Sequence, residues 1–506
     1  MRFQLPDLVR IAHGRRLGLC PEHETAGKGV GTESQPTENR LRAQTGLAWP
    51  AFFILLLLSV PLPAQMTAPR LVGQDVAEIG PEGVEISEGI KSFTRQDVNA
   101  AYELFQAAVK KNPQLAPAHV LMARMYLATN NVAAARTAME KASVEMPKDP
   151  EAFIALGEIA YGQNRLAEAQ PLFTKGLALS DSYTANPRRQ KLLRVRGLAG
   201  AAAVLERQEQ WAAAEEHLKR WIEIAPDSPL SYTRLGRALF RQDKFREAYD
   251  TFTRLYEMDD TVPRPEINMA VLYEEASQQP GKAALHENAR RLMNLAVERM
   301  PKHVETRLAA AQWGLESGMV DFAKTNAKAA LEIDPDSLPA RIAIGVVARH
   351  EKDLRRAEEI FAEAHLQSPA NFAAANHLAL TLIQKTDTAQ RRRALEFAQI
   401  NARIYADLRH PTGREAAVTL AWILFNVGRE AEAMQYLSAA ARAGNLSPES
   451  TYYAAKILVG RNRPESARKL LEKLLKQRRA FLHRPEAEQL FNEVRQPAGG
   501  EPESGR

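Results

Sequence analysis

Small residues recur along this chain at a regular interval. They are Ala101, Ala135, Ala169, Ala214, Ala248, Ala289, Ala323, Ala357, Ala394, Ala433 and Ala467. Six of the ten spacings between them are identical, as from 101 to 135 and from 135 to 169. The other four, 45, 41, 37 and 39, are the same interval lengthened by insertions. A second Gly or Ala precedes each of the last ten, usually by twelve positions: Ala123, Gly157, Ala202, Gly236, Ala270, Ala311, Gly345, Ala379, Ala421 and Ala455. Larger apolar residues surround both at helical spacing. In 150–176, Phe153, Leu156 and Ala160 mark one helix and Ala169, Leu172, Phe173 and Gly176 the next. Minimal side chains at both places let two antiparallel helices touch where they cross. The pattern therefore predicts one helix pair per interval.

Breakers separate the pairs. Pro113, Pro147, Pro226, Pro301, Pro335 and Pro369 each fall twelve residues after a marker alanine. Proline lacks the amide hydrogen and clashes with the preceding turn, so it stops the second helix at a set length. Asp181, Asp260 and Asn445 hold the same place elsewhere as weaker stops. Repeat boundaries follow at 116–149, 150–183, 195–228, 229–262, 263–303, 304–337, 338–371, 372–413, 414–447 and 448–481. Residues 94–112 read as a lone helix capping the N-terminal face and 484–495 as a C-terminal cap, because an array leaves an apolar face at each end. The whole array spans 94–495, after a flexible linker at 65–93 and before a disordered tail at 496–506.

Leu156-Gly157 with Ala169-x3-Phe173, Leu235-Gly236 with Ala248-x3-Phe252, and Ile344-Gly345 with Ala357-x3-Phe361 and Pro369 carry a family pattern. On them the body resembles the tetratricopeptide repeat (TPR) family, whose repeat reads Leu-Gly-x2-Tyr, Ala-x3-Phe, Pro. The chain departs from it at the Gln279-Pro280-Gly281 loop, at Trp221 and at the 394 repeat, which lacks the closing proline. The resemblance implies an all-α fold, a TPR α-solenoid: a right-handed superhelix of antiparallel helix pairs, about ten repeats long with terminal capping helices. It also implies a concave groove lined by first helices. Arg and aromatic side chains are the usual anchors of binding energy. Two groove clusters are therefore candidates, Arg237/Phe240/Arg241 and Trp422/Phe425/Tyr452, joined by Arg349, Asn426 and Lys456. The competing reading is that the same aromatics are core between repeats. No repeat has Lys at its fifth place, which disfavours capture of a chaperone's C-terminal carboxylate.

Charge adds little: 67 Lys/Arg against 61 Asp/Glu leave +6, with no concentrated basic stripe of the kind that nucleic-acid binders show. One cysteine, Cys20, excludes disulfides and thiolate chemistry from the body. No His-Glu-x-x-His helix or phosphate-binding loop is present, so neither a metal, a cofactor nor catalysis is expected. Residues 1–64 form a leader. Arg40 and Arg42 precede an apolar core, Leu47–Val60, and Pro61, Pro63 and Ala64 follow it. That order resembles a secretory signal cleaved near Ala64-Gln65, with an uncleaved membrane anchor as the alternative. Residues 1–39 resemble no segment of known type. The expected protein is exported, periplasmic or secreted, a non-catalytic scaffold binding a protein or peptide in envelope assembly, export or sorting. The second reading is an accessory subunit of an enzyme complex that touches a glycan or peptide substrate.

Overall fold

The computed structural model describes residues 83–477 and 480–495. The leader with its apolar core, Cys20, the first part of the linker and the tail from 496 lie outside the described residues. Among the described residues there are 23 α-helices and no strand. Two compact units divide between Val262 and Pro263. The first holds five helix pairs: α1 (Gly83–Thr94) with α2 (Val98–Lys111), α3 (Ala118–Ala128) with α4 (Val132–Glu145), α5 (Pro150–Gly162) with α6 (Leu166–Ser182), α7 (Pro187–Arg207) with α8 (Trp211–Ile224), and α9 (Pro229–Arg241) with α10 (Phe245–Met258). The second holds six: α11 (Pro265–Ser277) with α12 (Leu285–Arg299), α13 (Val304–Glu316) with α14 (Val320–Ile333), α15 (Leu338–His350) with α16 (Leu354–Gln367), α17 (Phe372–Leu382) with α18 (Thr388–Ile404), α19 (Pro411–Asn426) with α20 (Glu430–Ala443), and α21 (Pro448–Gly460) with α22 (Pro464–Lys476). A single helix, α23 (Arg484–Arg495), follows. The fold class is the expected one: consecutive helices pack in pairs, and within each unit pair stacks on pair.

The crossing logic is visible in the packing. All eleven marker alanines are completely buried. Where the first helix carries Gly at the crossing, the residue four past the marker alanine is Phe. An added Cβ on Gly157, Gly236 or Gly345 would lie 3.0, 2.5 or 2.5 Å from the ring of Phe173, Phe252 or Phe361. Where it carries Ala, that later residue is Met139, Leu218, Met293, Ala327, Ala398, Leu437 or Leu471. A glycine thus makes room for a ring at these crossings, whereas Ala311 with Ala327 and Ala379 with Ala398 leave two small side chains opposite each other.

The N-terminal boundary needs correction. Residues 83–93, read as linker, are the body of α1, and 94–112 is not a lone cap but mainly the second helix of a full pair. Gly89 stands twelve positions before Ala101, the usual offset, and an added Cβ there would meet the Phe105 ring at 2.5 Å. Phe93 also meets Tyr126 of α3 edge-on, with centroids 5.1 Å apart. The pair forms because it has the same Gly–Phe crossing as later repeats.

Both ends of the second helices have local causes. The six helices before a closing proline, α2, α4, α8, α12, α14 and α16, all end two residues short of it. The intervening residue leaves the helical region, as a residue before proline must, and its N–H still bonds the carbonyl four back. At the other end, nine pairs turn through a residue with positive φ five positions before the marker alanine. Gly318 and Gly428 supply it without strain, whereas Glu209 and Lys352 adopt it against their preference. The two exceptions precede Ala289 and Ala394, where the insertion falls between the two helices of the pair and lengthens the turn itself.

Candidate functional site

In the second unit, four successive first helices and the loop before α23 bring polar side chains to one place. Arg349 lies next to the C-terminus of α15, His377 in the middle of α17, and Glu415 in the second turn of α19. Glu449 and Tyr453 are one turn apart on α21, and His483 precedes α23. The Arg349 side chain is 1 % exposed. It donates to Glu449 at 3.0 Å and to the Tyr453 hydroxyl at 3.2 Å, spanning 100 residues of sequence and three repeats. Its other terminal nitrogen lies 2.9 Å from His377 Nδ1, which must accept because a guanidinium only donates. Tyr453 also donates to Glu449 at 3.2 Å and stands 2.9 Å from His483 Nε2. Asn376 donates to Glu415 at 3.4 Å, while its own buried Oδ1 and the buried Arg349 Nε have no partner.

These contacts set the protonation states. Burial works to raise the Glu449 pKa, but Arg349, His377 and His483 lower it to about 2. Glu415 has no cation of its own; burial, with Glu449 adding to it, raises its pKa to about 7 against Arg349. His377 is lowered to about 4, by burial first and then by Arg349, with Glu449 opposing. Burial likewise lowers His483 to about 4. Near neutrality the cluster is thus one ion pair, Arg349 with Glu449, set among neutral imidazoles and a carboxyl group half-way through its titration.

An aromatic row borders the ion pair. Trp422 stacks on Tyr453 with centroids 5.3 Å apart and lies 6.2 Å from Phe425, and Tyr452 stacks on His483 at 4.9 Å. Lys456 Nζ sits 5.1 Å from the Trp422 ring and 5.8 Å from that of Tyr452. Asn426 is turned onto its own helix, donating to the Trp422 carbonyl at 2.7 Å. Of the expected groove residues, the structure gathers Arg349, Trp422, Phe425, Tyr452 and Lys456 here. It also corrects their character. Arg349 and Tyr452 are buried, and Trp422 and Phe425 are half-buried against the cores of this unit, so the row is largely interior packing.

The first unit arranges its first helices differently. Glu151, 1 % exposed, takes Arg124 of α3 at 2.5 Å and Arg189 of α7 at 2.9 Å, with Arg196 of α7 at 3.4 Å. Arg189 also bonds Asp149 at 2.7 Å, and Arg196 bonds Glu158 at 2.7 Å. Burial works against the Glu151 charge, yet the three guanidiniums hold its pKa well below the usual carboxylate range. Arg237, Phe240 and Arg241 lie on α9, away from this network. Phe240 is buried and meets Phe245 edge-on at 5.1 Å, so it is core and not a groove anchor. The Arg241 guanidinium lies 5.8 Å from the Trp211 ring, and Arg237 is half-buried.

Sequence reading missed His377, Glu415, Glu449, Tyr453 and His483. Only the Glu449-x3-Tyr453 spacing placed two of them on one helix face. Among the described residues, no group of three or more His, Cys, Asp or Glu is placed to hold a metal ion. No described helix is long and apolar enough to cross a membrane.

A tetratricopeptide-repeat family profile matches residues 93–159. No curated protein matches the chain by sequence. Among solved structures, yeast Tom70 is similar at 14 % identity over 82 % of this chain and 95 % of that one, with a TM-score of 0.36. The MamA protein matches 36 % of this chain and 92 % of its own at 18 % identity, TM-score 0.28. Human IFIT1, solved with a capped RNA, matches 76 % of this chain and 90 % of its own at 16 % identity, TM-score 0.36.

Proposed function

We propose that this chain, built throughout its described length from tetratricopeptide-type helix pairs, is a non-catalytic scaffold that holds a protein or peptide partner along its first helices. One observation carries the reading. Within each unit, each first helix meets the next, through side chains such as Phe93 with Tyr126, Arg124 with Glu151 and Arg234 with Glu206 in the first unit, so residues far apart in sequence share a wall that no single pair has. Extended or helical peptides are the usual occupants of such walls. The leader, with its apolar core at 47–60, supports a working place in the envelope or outside the cell, in assembly, export or sorting. A glycan-contacting role is less well supported, because Tyr453, Phe425 and Lys456 already surround the Trp422 ring.

Photo-crosslinking in the native source tests the scaffold. A photoreactive residue at Arg207 or Lys456, on first helices, should yield one discrete partner band. The same residue at Val144 or Leu366, both 80 % exposed on second helices, should not. Equal bands from both sets, or none from the first, would rule the reading out. N-terminal sequencing of the mature protein tests the leader, and an unprocessed soluble cytoplasmic chain would remove the compartment from the proposal.

A further inference from the structure

The contact between Arg349 and Glu449 spans three repeats, farther than stacking requires. Neighbouring pairs are already held by apolar packing of each second helix on the next first helix, as α15 through α22 are. An additional bond from α15 to α21 therefore does something else: it draws the first and last of four successive first helices together and fills the space between them with side chains. Two titratable groups flank this bond on the intervening helices, and they prefer opposite forms. His377 accepts from Arg349, so a proton on Nδ1 would remove the acceptor and set two cations in contact. Glu415, which accepts from Asn376, feels the charge of Glu449, so losing its proton would set two half-buried carboxylates against each other.

We propose that Arg349 and Glu449 form a latch that closes the first-helix wall of the second unit, with protonation of Glu415 favouring the closed form and protonation of His377 the open one. The charges that bear on Glu415 are Glu449 of α21 and Arg349 of α15. Arg414 beside it is turned away to the carbonyls of Leu408, Arg409 and Asn445. Arg349 and Glu449 also bear on His377, whose ring stacks on Phe361 of α16 at 5.1 Å. His350 feels Arg349, Glu449 and Glu486; His483 feels these three and Lys456. Because the two flanking groups titrate in opposite senses over the same acidic-to-neutral range, each masks the other in the native chain. The latch goes beyond the scaffold reading and stands whether or not a partner uses this wall.

Amide hydrogen exchange of the full chain, normalised for intrinsic rates, tests this at residues 338–350 and 448–460, with 118–128 as the internal reference. Glu449→Gln should lower protection of both segments together by about tenfold at pH 7.5, as expected when a charged hydrogen-bond acceptor is made neutral. In Glu415→Gln, which keeps the shape of the protonated acid, protection should fall by about tenfold from pH 7.5 to 5.0, since His377 then titrates unopposed by Glu415, with His350 and His483 shifted in the same sense. In His377→Gln, which keeps an acceptor for Arg349, protection should instead fall as pH rises over the same range. The native chain should change by less than either variant. The latch is overturned if Glu449→Gln leaves either segment fully protected. The opposed titrations are overturned if both variants shift in the same direction, or neither shifts. If His377→Gln does not fold, the sign in Glu415→Gln alone decides.

Discussion

The two units use the same helix pair and the same buried alanines, yet their first helices carry different polar chemistry. In the first unit, Glu151 ties α3, α5 and α7 side to side, every bond reaching a neighbouring repeat, and its charge is met by three guanidiniums. In the second, Arg349 skips two repeats to reach Glu449, and the groups around the pair are neutral imidazoles and a partly protonated acid. The first arrangement stiffens a stack along its length. The second closes a wall on itself. A common backbone pattern thus supports two mechanical roles, and which one appears is decided by a few polar residues that the repeat pattern does not specify.

The largest test removes the centre of the ionic side. Glu151→Ala takes the shared carboxylate from Arg124, Arg189 and Arg196, leaving Asp149 and Glu158 against three guanidiniums, and should cost about 3–5 kcal/mol in the first unit, read by urea unfolding. A loss below about 1 kcal/mol would mean the network is better solvated than its burial indicates. Glu449→Gln should cost less, about 1.5–3 kcal/mol, because Glu449 is partly exposed and Gln keeps one acceptor. If it costs more than Glu151→Ala, the contrast between the two walls is reversed.

Acid response should separate the walls next. Glu151 has a depressed native pKa, so its contribution is fully present above the ordinary carboxylate value and is lost only as pH falls below about 4.5. His377 and His483, also depressed, contribute fully above about 6.5 and lose that contribution as pH falls towards 4. Glu415, raised, contributes at low pH and loses its contribution as pH rises through about 7. Amide protection across 118–207 should therefore stay level from pH 8 to 5 and collapse only in stronger acid; an earlier decline would show that Glu151 is not held ionised. The smallest effect is expected at the rim of the second wall. Lys456→Met removes the cation from the Trp422 and Tyr452 rings and should cost about 0.5–1 kcal/mol, seen as a small shift in the urea midpoint. No change would make the contact incidental.

Much of the fold could be read in advance because crossings are local and repeated. A buried Ala at each step of the repeat, and a proline twelve residues later, report a helix pair wherever they occur. The pairing of α1 with α2 escaped notice although its signal was present, Gly89 lying at the usual offset before Ala101 and opposite Phe105. The candidate wall was less legible. Position within a repeat placed Arg349, Trp422 and Tyr452 on first helices, but not how much side chain stands opposite them. All three became wholly or partly interior, and their partners Glu449, Tyr453 and His377 have no unusual spacing to mark them. The turn residues with positive φ went unseen for a related reason, since Glu209 and Lys352 are not types that announce such a backbone.

By itself the sequence determined the helix pairs, their number to within one, and where second helices stop. Those outcomes depend on side-chain size and backbone chemistry within the span of a single repeat. Only the tertiary structure decided which charged groups meet and which of them stay ionised. Contacts such as Arg349 with Glu449 depend on small rotations that accumulate from pair to pair, and the dielectric around each group depends on everything packed near it.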